Sequence, residues 1–138
     1  MRPLPEADHV ARYCKPSTID ERGQPMANAF AMRAREDHLS VNWLEHFDPQ
    51  PDVAIHHVRN TLRASGFQLR PNGRFALLGV AAIKSTVKRS LGLRLHVNHL
   101  PLEHDPSHAG VLGYSDADLM VAAEIRSLVG PGDLRRAV

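Results

Sequence analysis

The fold can be read from residues 53–97, which run VAIHHVRNTLRASGFQLRPNGRFALLGVAAIKSTVKRSLGLRLHV. At the start of this stretch, Ile55, Val58 and Leu62 recur at the spacing of one helix face. Gly66 follows them, and glycine is the residue that most often ends a helix in a left-handed conformation. This pattern predicts a helix over Val53–Ser65 with one apolar side.

The same stretch continues with a turn, a strand, a second helix and a second strand. Residues Arg70–Arg74 read RPNGR, where proline presets one backbone dihedral and Asn-Gly accepts positive φ, so a tight turn is predicted. Phe75–Val80 is a continuous apolar segment, which is typical of a buried strand. A helix then runs to Gly92, and Leu93–Val97 alternates apolar and polar residues as a half-buried strand does.

Shorter segments outside these residues complete the pattern. Further strands are predicted at His9–Cys14, Asn28–Arg33, Leu39–Val41 and His108–Leu112, and a third helix after the capping box Ser115–Asp118. Helices embedded among strand runs predict a single α+β domain over residues 1–132, with one mixed, largely antiparallel sheet and about three helices packed on it. Residues 133–138 are predicted to form a loose C-terminal tail.

Positive charge is concentrated in the middle of the chain. Residues 53–102 hold eight of the 17 lysine and arginine residues and no acidic residue, whereas the two flanks hold all 15 acidic residues. Such a segment attracts phosphates, nucleic acid or an acidic protein surface. The leading hypothesis is therefore a small binding or accessory protein whose basic central face contacts nucleic acid or an acidic protein partner. The predicted contact residues are Arg70, Arg74, Lys84, Lys88, Arg89, Arg94 and His96.

The same charge polarity allows self-association. In a two-fold homodimer, each basic face would meet the acidic surface of the partner. Exposed ion pairs are weak and are screened by salt, so such a dimer needs apolar area buried with them. A homo-oligomeric structural component is thus an alternative to the binding hypothesis.

The compartment is predicted from the N-terminus, the hydropathy pattern and the cysteine count. The N-terminus MRPLPE has no apolar stretch of the kind that a signal peptide needs, and the longest apolar run, Phe75–Ile83, is too short to span a bilayer. The single cysteine, Cys14, cannot form an internal disulfide, which agrees with a reducing compartment. These features predict a cytoplasmic protein with no membrane contact.

An enzyme is the second alternative. Asp105-Pro106-Ser107-His108 is the densest polar cluster, at a point where a loop meets a strand. His108 could act as a general base with Asp105 orienting it, Ser40 is a further catalytic candidate, and Arg12 would hold an anion because a guanidinium on a partly buried strand face needs a partner. The substrate would bear a phosphate, as a nucleotide does. A turn in which backbone groups satisfy His108 is the structural alternative.

A metal site is not predicted, and neither is a cofactor. His96, His99, His104 and His108, with Asp105 among them, are residues of the types that bind zinc. On a strand, however, His96 and His99 point to opposite faces, and the other spacings match no compact zinc signature.

Several short segments resemble a pattern found in small uncharacterised bacterial proteins. These segments are Arg12–Ser17 (RYCKPS), Ala29–Phe30, Leu39–Val41 (LSV) and Asp105–Ala109 (DPSHA). The resemblance implies a bacterial source and an ordered domain. It implies no activity, cofactor or catalytic residue.

Overall fold

The chain forms one antiparallel sheet with helices on both faces, as the computed structural model shows for residues 2–138. In this range the strands are β1 (Arg2–Pro3), β2 (His9–Cys14), β3 (Leu39–Trp43), β4 (Arg74–Gly79), β5 (His96–His99), β6 (His108–Leu112) and β7 (Leu134–Arg136). The helices of the same range are α1 (Pro51–Ala64), α2 (Val80–Leu91) and α3 (Leu119–Ser127). The predicted α+β fold, with one largely antiparallel sheet and three helices, is confirmed.

Across the sheet, the strand order is β1-β5-β6-β3-β2-β4-β7. Each helix therefore connects strands that are not neighbours, and it crosses one face of the sheet to do so. The connection from β3 to β4 carries α1, whereas α2 and α3 carry the connections from β4 to β5 and from β6 to β7.

Two apolar clusters show which face each helix covers. Ile83 of α2 and Ile125 of α3 pack with Val10 and Val41, and we call this side of the sheet the α2/α3 face. Ile55 of α1 belongs to the other cluster, on the α1 face, together with residues of β2, β4 and the C-terminus. Because alternate residues of a strand point to opposite faces, β2 and β4 contribute apolar side chains to both clusters.

Local signals mark the ends of the central helices, and α1 begins two residues before the predicted start at Val53. Pro51 lies in the first turn of α1, and the Gln50 side chain accepts a hydrogen bond from the Asp52 backbone N–H at 3.0 Å. The α2 helix ends where Gly92 takes the left-handed conformation, with φ at 70°.

The α1 helix covers only half of its face. Ala11, Phe75 and Ala137, from β2, β4 and the C-terminus, lie beneath it. The other half, formed by β3, β6 and β5, carries polar side chains, and no helix of residues 2–138 packs over it. This open half of the α1 face is where the candidate site lies.

Two predictions were wrong. The segment predicted as a strand at Asn28–Arg33 contains instead a 3-10 helix, Ala27–Phe30, which packs on the α2/α3 face and buries Phe30. The predicted loose tail is part of the sheet, since β7 pairs with Arg74–Ala76 and Ala137 is fully buried. The backbone groups on the outer side of β4 need partners, and β7 supplies them.

No helix within residues 2–138 is long and apolar enough to cross a membrane.

Candidate functional site

Ser40 and His108 meet on the open half of the α1 face. The β3 and β6 strands pair so that Asn42 lies opposite His108 and Ser40 opposite Gly110. Directly opposed residues of an antiparallel pair share a face, so Ser40 and His108 are diagonal neighbours. The Ser40 Oγ atom lies 3.2 Å from His108 Nε2, and the histidine is 8% exposed.

The hydrogen bonds of His108 fix its tautomer. Its Nδ1 atom lies 2.7 Å from the carbonyl oxygen of Leu100, which can only accept, so Nδ1 carries the proton. In the neutral ring, Nε2 is then an acceptor, and the Ser40 hydroxyl donates to it. The geometry is that of a hydroxyl paired with a general base.

A second imidazole also approaches the Ser40 hydroxyl. His38 Nε2 is 3.5 Å from Ser40 Oγ, and His38 Nδ1 donates to Asp37 Oδ1 at 2.7 Å. This hydrogen bond lowers the pKa of Asp37, because it stabilises the charged carboxylate. The Ser40 hydroxyl thus lies within 3.5 Å of two imidazoles, each with its Nδ1 proton held by an acceptor oxygen.

Gly110 makes room for this arrangement. A Cβ atom at this position would lie 2.9 Å from His38 Cδ2 and 2.7 Å from Leu100 Cδ1. Because glycine has no such atom, the His38 ring settles over β6 in T-shaped contact with the His108 ring, with centroids 5.4 Å apart.

Asp105 supports the loop that precedes His108. Its carboxylate accepts hydrogen bonds from Asn42 Nδ2 at 2.9 and 3.1 Å, and Asn42 Nδ2 also lies 2.9 Å from Ser107 Oγ. All three residues are buried. The His108 ring is oriented by the Leu100 carbonyl rather than by the Asp105 carboxylate, so Asp105 contributes by holding the loop.

Arg12 lies on the opposite face of the sheet from the Ser40 hydroxyl. The β2–β3 ladder contains only the pairs Val10↔Trp43 and Ala11↔Asn42. Val10 packs in the cluster on the α2/α3 face, so Arg12, two residues further along β2, lies on the same face. Beyond the ladder, Arg12 Nε donates to the carbonyl oxygen of Ala29 and Arg12 Nη1 to that of Ser40, both at 2.9 Å. Burial lowers the pKa of this arginine. The structure does not bring its guanidinium together with the His108 ring.

The predicted basic residues fall into separate groups. Arg70 lies in the turn before β4 and Arg74 begins that strand, whereas Lys88 and Arg89 lie near the end of α2, Arg94 precedes β5 and His96 begins it. Three strands separate β4 from β5, which is about 19 Å at 4.8 Å per strand. Lys84 forms an ion pair with Glu6 at 2.7 Å. The basic residues at β4 are therefore separated from those at β5 across the sheet, and Lys84 is paired internally.

The histidines of residues 96–108 make separate contacts. His99 Nε2 donates to the carbonyl oxygen of Pro106 at 2.7 Å, and His104 is exposed beside Glu103. Within residues 2–138, no group of three or more His, Cys, Asp or Glu side chains is placed to hold a metal ion.

Sequence reasoning missed His38 and Asp37. The signal was present, because His38 precedes Ser40 by two residues and the period of a strand puts both on one face. The proximity of His108 has no such local signal. Comparison with protein-family models, curated proteins and solved structures finds no match to this chain.

Proposed function

We propose that the protein is a hydrolase of the acyl-transfer type, with Ser40 as nucleophile and His108 as general base. The observation that supports this most directly is the 3.2 Å contact between Ser40 Oγ and His108 Nε2, made by a ring whose Nδ1 proton is held by the Leu100 carbonyl. A hydroxyl is a weak nucleophile until an adjacent base removes its proton, and this pairing supplies that base.

His108 and His38 carry out different proton transfers in the proposed reaction. Ser40 Oγ bonds to the carbonyl carbon of an ester while its proton passes to His108 Nε2, and the leaving alkoxide takes a proton from a His38 imidazolium paired with Asp37. Water then attacks the acyl-serine and gives a proton to His38. Ser40 recovers its own proton from His108, so the products are a carboxylic acid and an alcohol.

The proposal keeps Ser40 and His108 from the enzyme hypothesis but not the phosphate-bearing substrate. That substrate required Arg12 as its anion-binding residue, and Arg12 donates to two backbone carbonyl oxygens on the α2/α3 face. A substrate reaches Ser40 from the solvent side of β3, β6 and β5, where an ester carbonyl can approach the partly exposed hydroxyl.

Labelling with a fluorophosphonate probe tests the proposal. The probe reacts with a serine hydroxyl that a base activates, so intact-protein mass spectrometry should show one adduct and peptide mapping should place it on Ser40. His108→Gln should slow labelling by about 10²-fold or more, the usual contribution of a general base. Hydrolysis of 4-nitrophenyl acetate should fall in parallel.

Two controls make the result decisive. Ser90→Ala removes an exposed hydroxyl from α2 and should leave labelling unchanged, whereas Ser40→Ala should abolish it. Circular dichroism melts establish that each variant is folded. A folded wild-type protein with no adduct on Ser40, or one whose labelling rate is unaffected by His108→Gln, would refute the proposal.

A further inference from the structure

Three arginines gather beside the edge of the sheet that β4 and β7 form. This arginine corner consists of Arg59, Arg63 and Arg70. Arg59 donates to the Arg136 carbonyl oxygen from α1 through Nε at 3.0 Å and Nη2 at 2.6 Å. Arg63 lies one helical turn after Arg59 and shares a shallow surface groove with Arg70. Arg74 and Arg136 do not belong to the corner, because their paired positions place both side chains on the α2/α3 face, whereas α1 covers the other face.

The arginine corner lacks internal counter-ions. Within residues 2–138, no carboxylate lies within 4.0 Å of a guanidinium nitrogen of these three arginines, whereas the neighbouring Arg135 pairs with Asp52 at 2.6 Å. Burial and, after it, the charge of Arg63 lower the pKa of Arg59. An external anion would offset this repulsion between the two arginines, which favours a polyanionic ligand.

An aromatic ring lies within the same groove. Phe67 is 42% exposed, between Arg63 and Arg70, and the Tyr13 ring holds it in T-shaped contact with centroids 5.3 Å apart. The Tyr13 hydroxyl also accepts a hydrogen bond from the Arg70 backbone N–H at 3.0 Å. Tyr13 therefore positions both the Phe67 ring and the backbone of Arg70.

We propose that the arginine corner binds single-stranded nucleic acid, with phosphates on the guanidinium groups and an unstacked base on Phe67. Guanidinium groups match phosphate oxygens in bidentate geometry, and aromatic rings stack on bases without regard to sequence. The exposed Phe67 ring favours single-stranded nucleic acid over duplex nucleic acid and over an acidic peptide. A duplex hides its base faces, and an acidic peptide uses the charges without needing a stacking surface.

Fluorescence anisotropy with a labelled oligothymidylate of about 12 nucleotides tests this proposal, because that length fits the site sizes of single-strand binders. The double variant Arg63→Glu/Arg70→Glu should lower the affinity at least about tenfold and reduce its salt dependence. Phe67→Ala should weaken binding about fivefold or more without changing the salt slope, since it removes stacking and no charge. The matched control is Lys88→Glu/Arg89→Glu, which reverses two exposed charges at the end of α2 and should change affinity much less.

Three outcomes would overturn the proposal. Equal losses in the two double variants would show attraction by net charge alone. Unchanged affinity in Phe67→Ala, with displacement of the oligonucleotide by polyglutamate, would identify an acidic peptide as the ligand. A duplex that binds as tightly as the single strand would remove base stacking from the interaction. Ester hydrolysis is measured separately, so the Ser40 site and the arginine corner stand or fall independently.

Discussion

Single polar side chains that are buried or half-buried in this protein hydrogen-bond particular backbone groups. Arg12 satisfies the carbonyl oxygens of Ala29 and Ser40, and the Tyr114 hydroxyl donates to the carbonyl oxygen of Phe30 at 2.9 Å. Both side chains join the Ala27–Phe30 3-10 helix to the rest of the molecule. The predicted anion-binding role of Arg12 is replaced, in this interpretation, by a structural one.

Replacing Arg12 should therefore destabilise the fold. Arg12→Met keeps much of the aliphatic volume but leaves two carbonyl oxygens without a donor, at about 1–3 kcal/mol each, so we expect a loss of about 2–6 kcal/mol. Urea unfolding followed by tryptophan fluorescence measures it. Arg89→Met, on the exposed surface of α2, is the control, and equal stability of the two variants would contradict the structural role of Arg12.

Cys14 should make stability depend on alkaline pH. Burial raises the pKa of its thiol from 9.0 to about 11, so the folded state holds the proton more tightly than the unfolded state. This contribution is fully present below pH 9 and is lost as the pH rises toward 11, by of order 2 kcal/mol.

Urea unfolding at several pH values between 7 and 11 measures this effect. Cys14→Ala should flatten the alkaline decline relative to wild type, whatever its effect at pH 7. Identical slopes in the two proteins would show that the thiol ionises equally well in the folded state.

At the scale of elements, strand register builds the candidate site. The β3–β6 pairing places Ser40 opposite Gly110 and diagonal to His108, and the missing side chain at 110 lets the His38 ring reach the hydroxyl. A shift of one residue in this pairing would move Ser40 and His108 onto opposite faces.

Gly110→Ala should therefore reproduce the effect of His38→Ala on the proposed reaction. The added methyl group would meet His38 Cδ2 at 2.9 Å, so the ring must move away from Ser40. We expect hydrolysis of 4-nitrophenyl acetate to fall about tenfold in both variants, at the lower end of general acid–base effects. Gly132→Ala is the control, because a Cβ there meets nothing within 4 Å. Full activity in Gly110→Ala would exclude His38 from the reaction.

At the scale of the whole molecule, the C-terminal strand β7 forms one edge of the sheet. The β7 strand pairs with the outer side of β4, and Ala137 fills a fully buried position beneath α1. The last residues thus extend the sheet beyond β4 and also fill part of the core beneath α1.

Truncation after Asp133 should lower the melting temperature by about 10 °C, because it removes a strand ladder and buried apolar area worth several kcal/mol. Truncation after Ala137 removes only Val138, which is 48% exposed, and should change the melting temperature by no more than about 2 °C. Thermal unfolding followed by circular dichroism compares the two. A small effect of the longer truncation would mean that β4 is stable as an edge strand.

Local periodicity and turn chemistry placed α1, β4 and α2, whereas the strand predicted at Leu93–Val97 begins only at His96 and runs to His99. The apolar spacing of Ile55, Val58 and Leu62 placed α1, and Gly92 marked the end of α2, because both signals act between neighbours in the chain. The excess of basic residues between 53 and 102 was also visible, since charge is a property of composition.

The tertiary structure decided what depends on long-range pairing. A period-two pattern at Asn28–Arg33 favoured a strand, but burial of Phe30 and the hydrogen bond from Arg12 stabilise a 3-10 helix there. Ser40 and His108 are 68 residues apart, and only the β3–β6 register brings them within hydrogen-bond distance. The contact between Arg59 and the Arg136 carbonyl oxygen likewise depends on the β4–β7 ladder, which places residue 136 beside α1. Hydrogen bonding between distant strands leaves no periodic trace in either strand, so sequence patterns reveal which residues can pair but not which ones do.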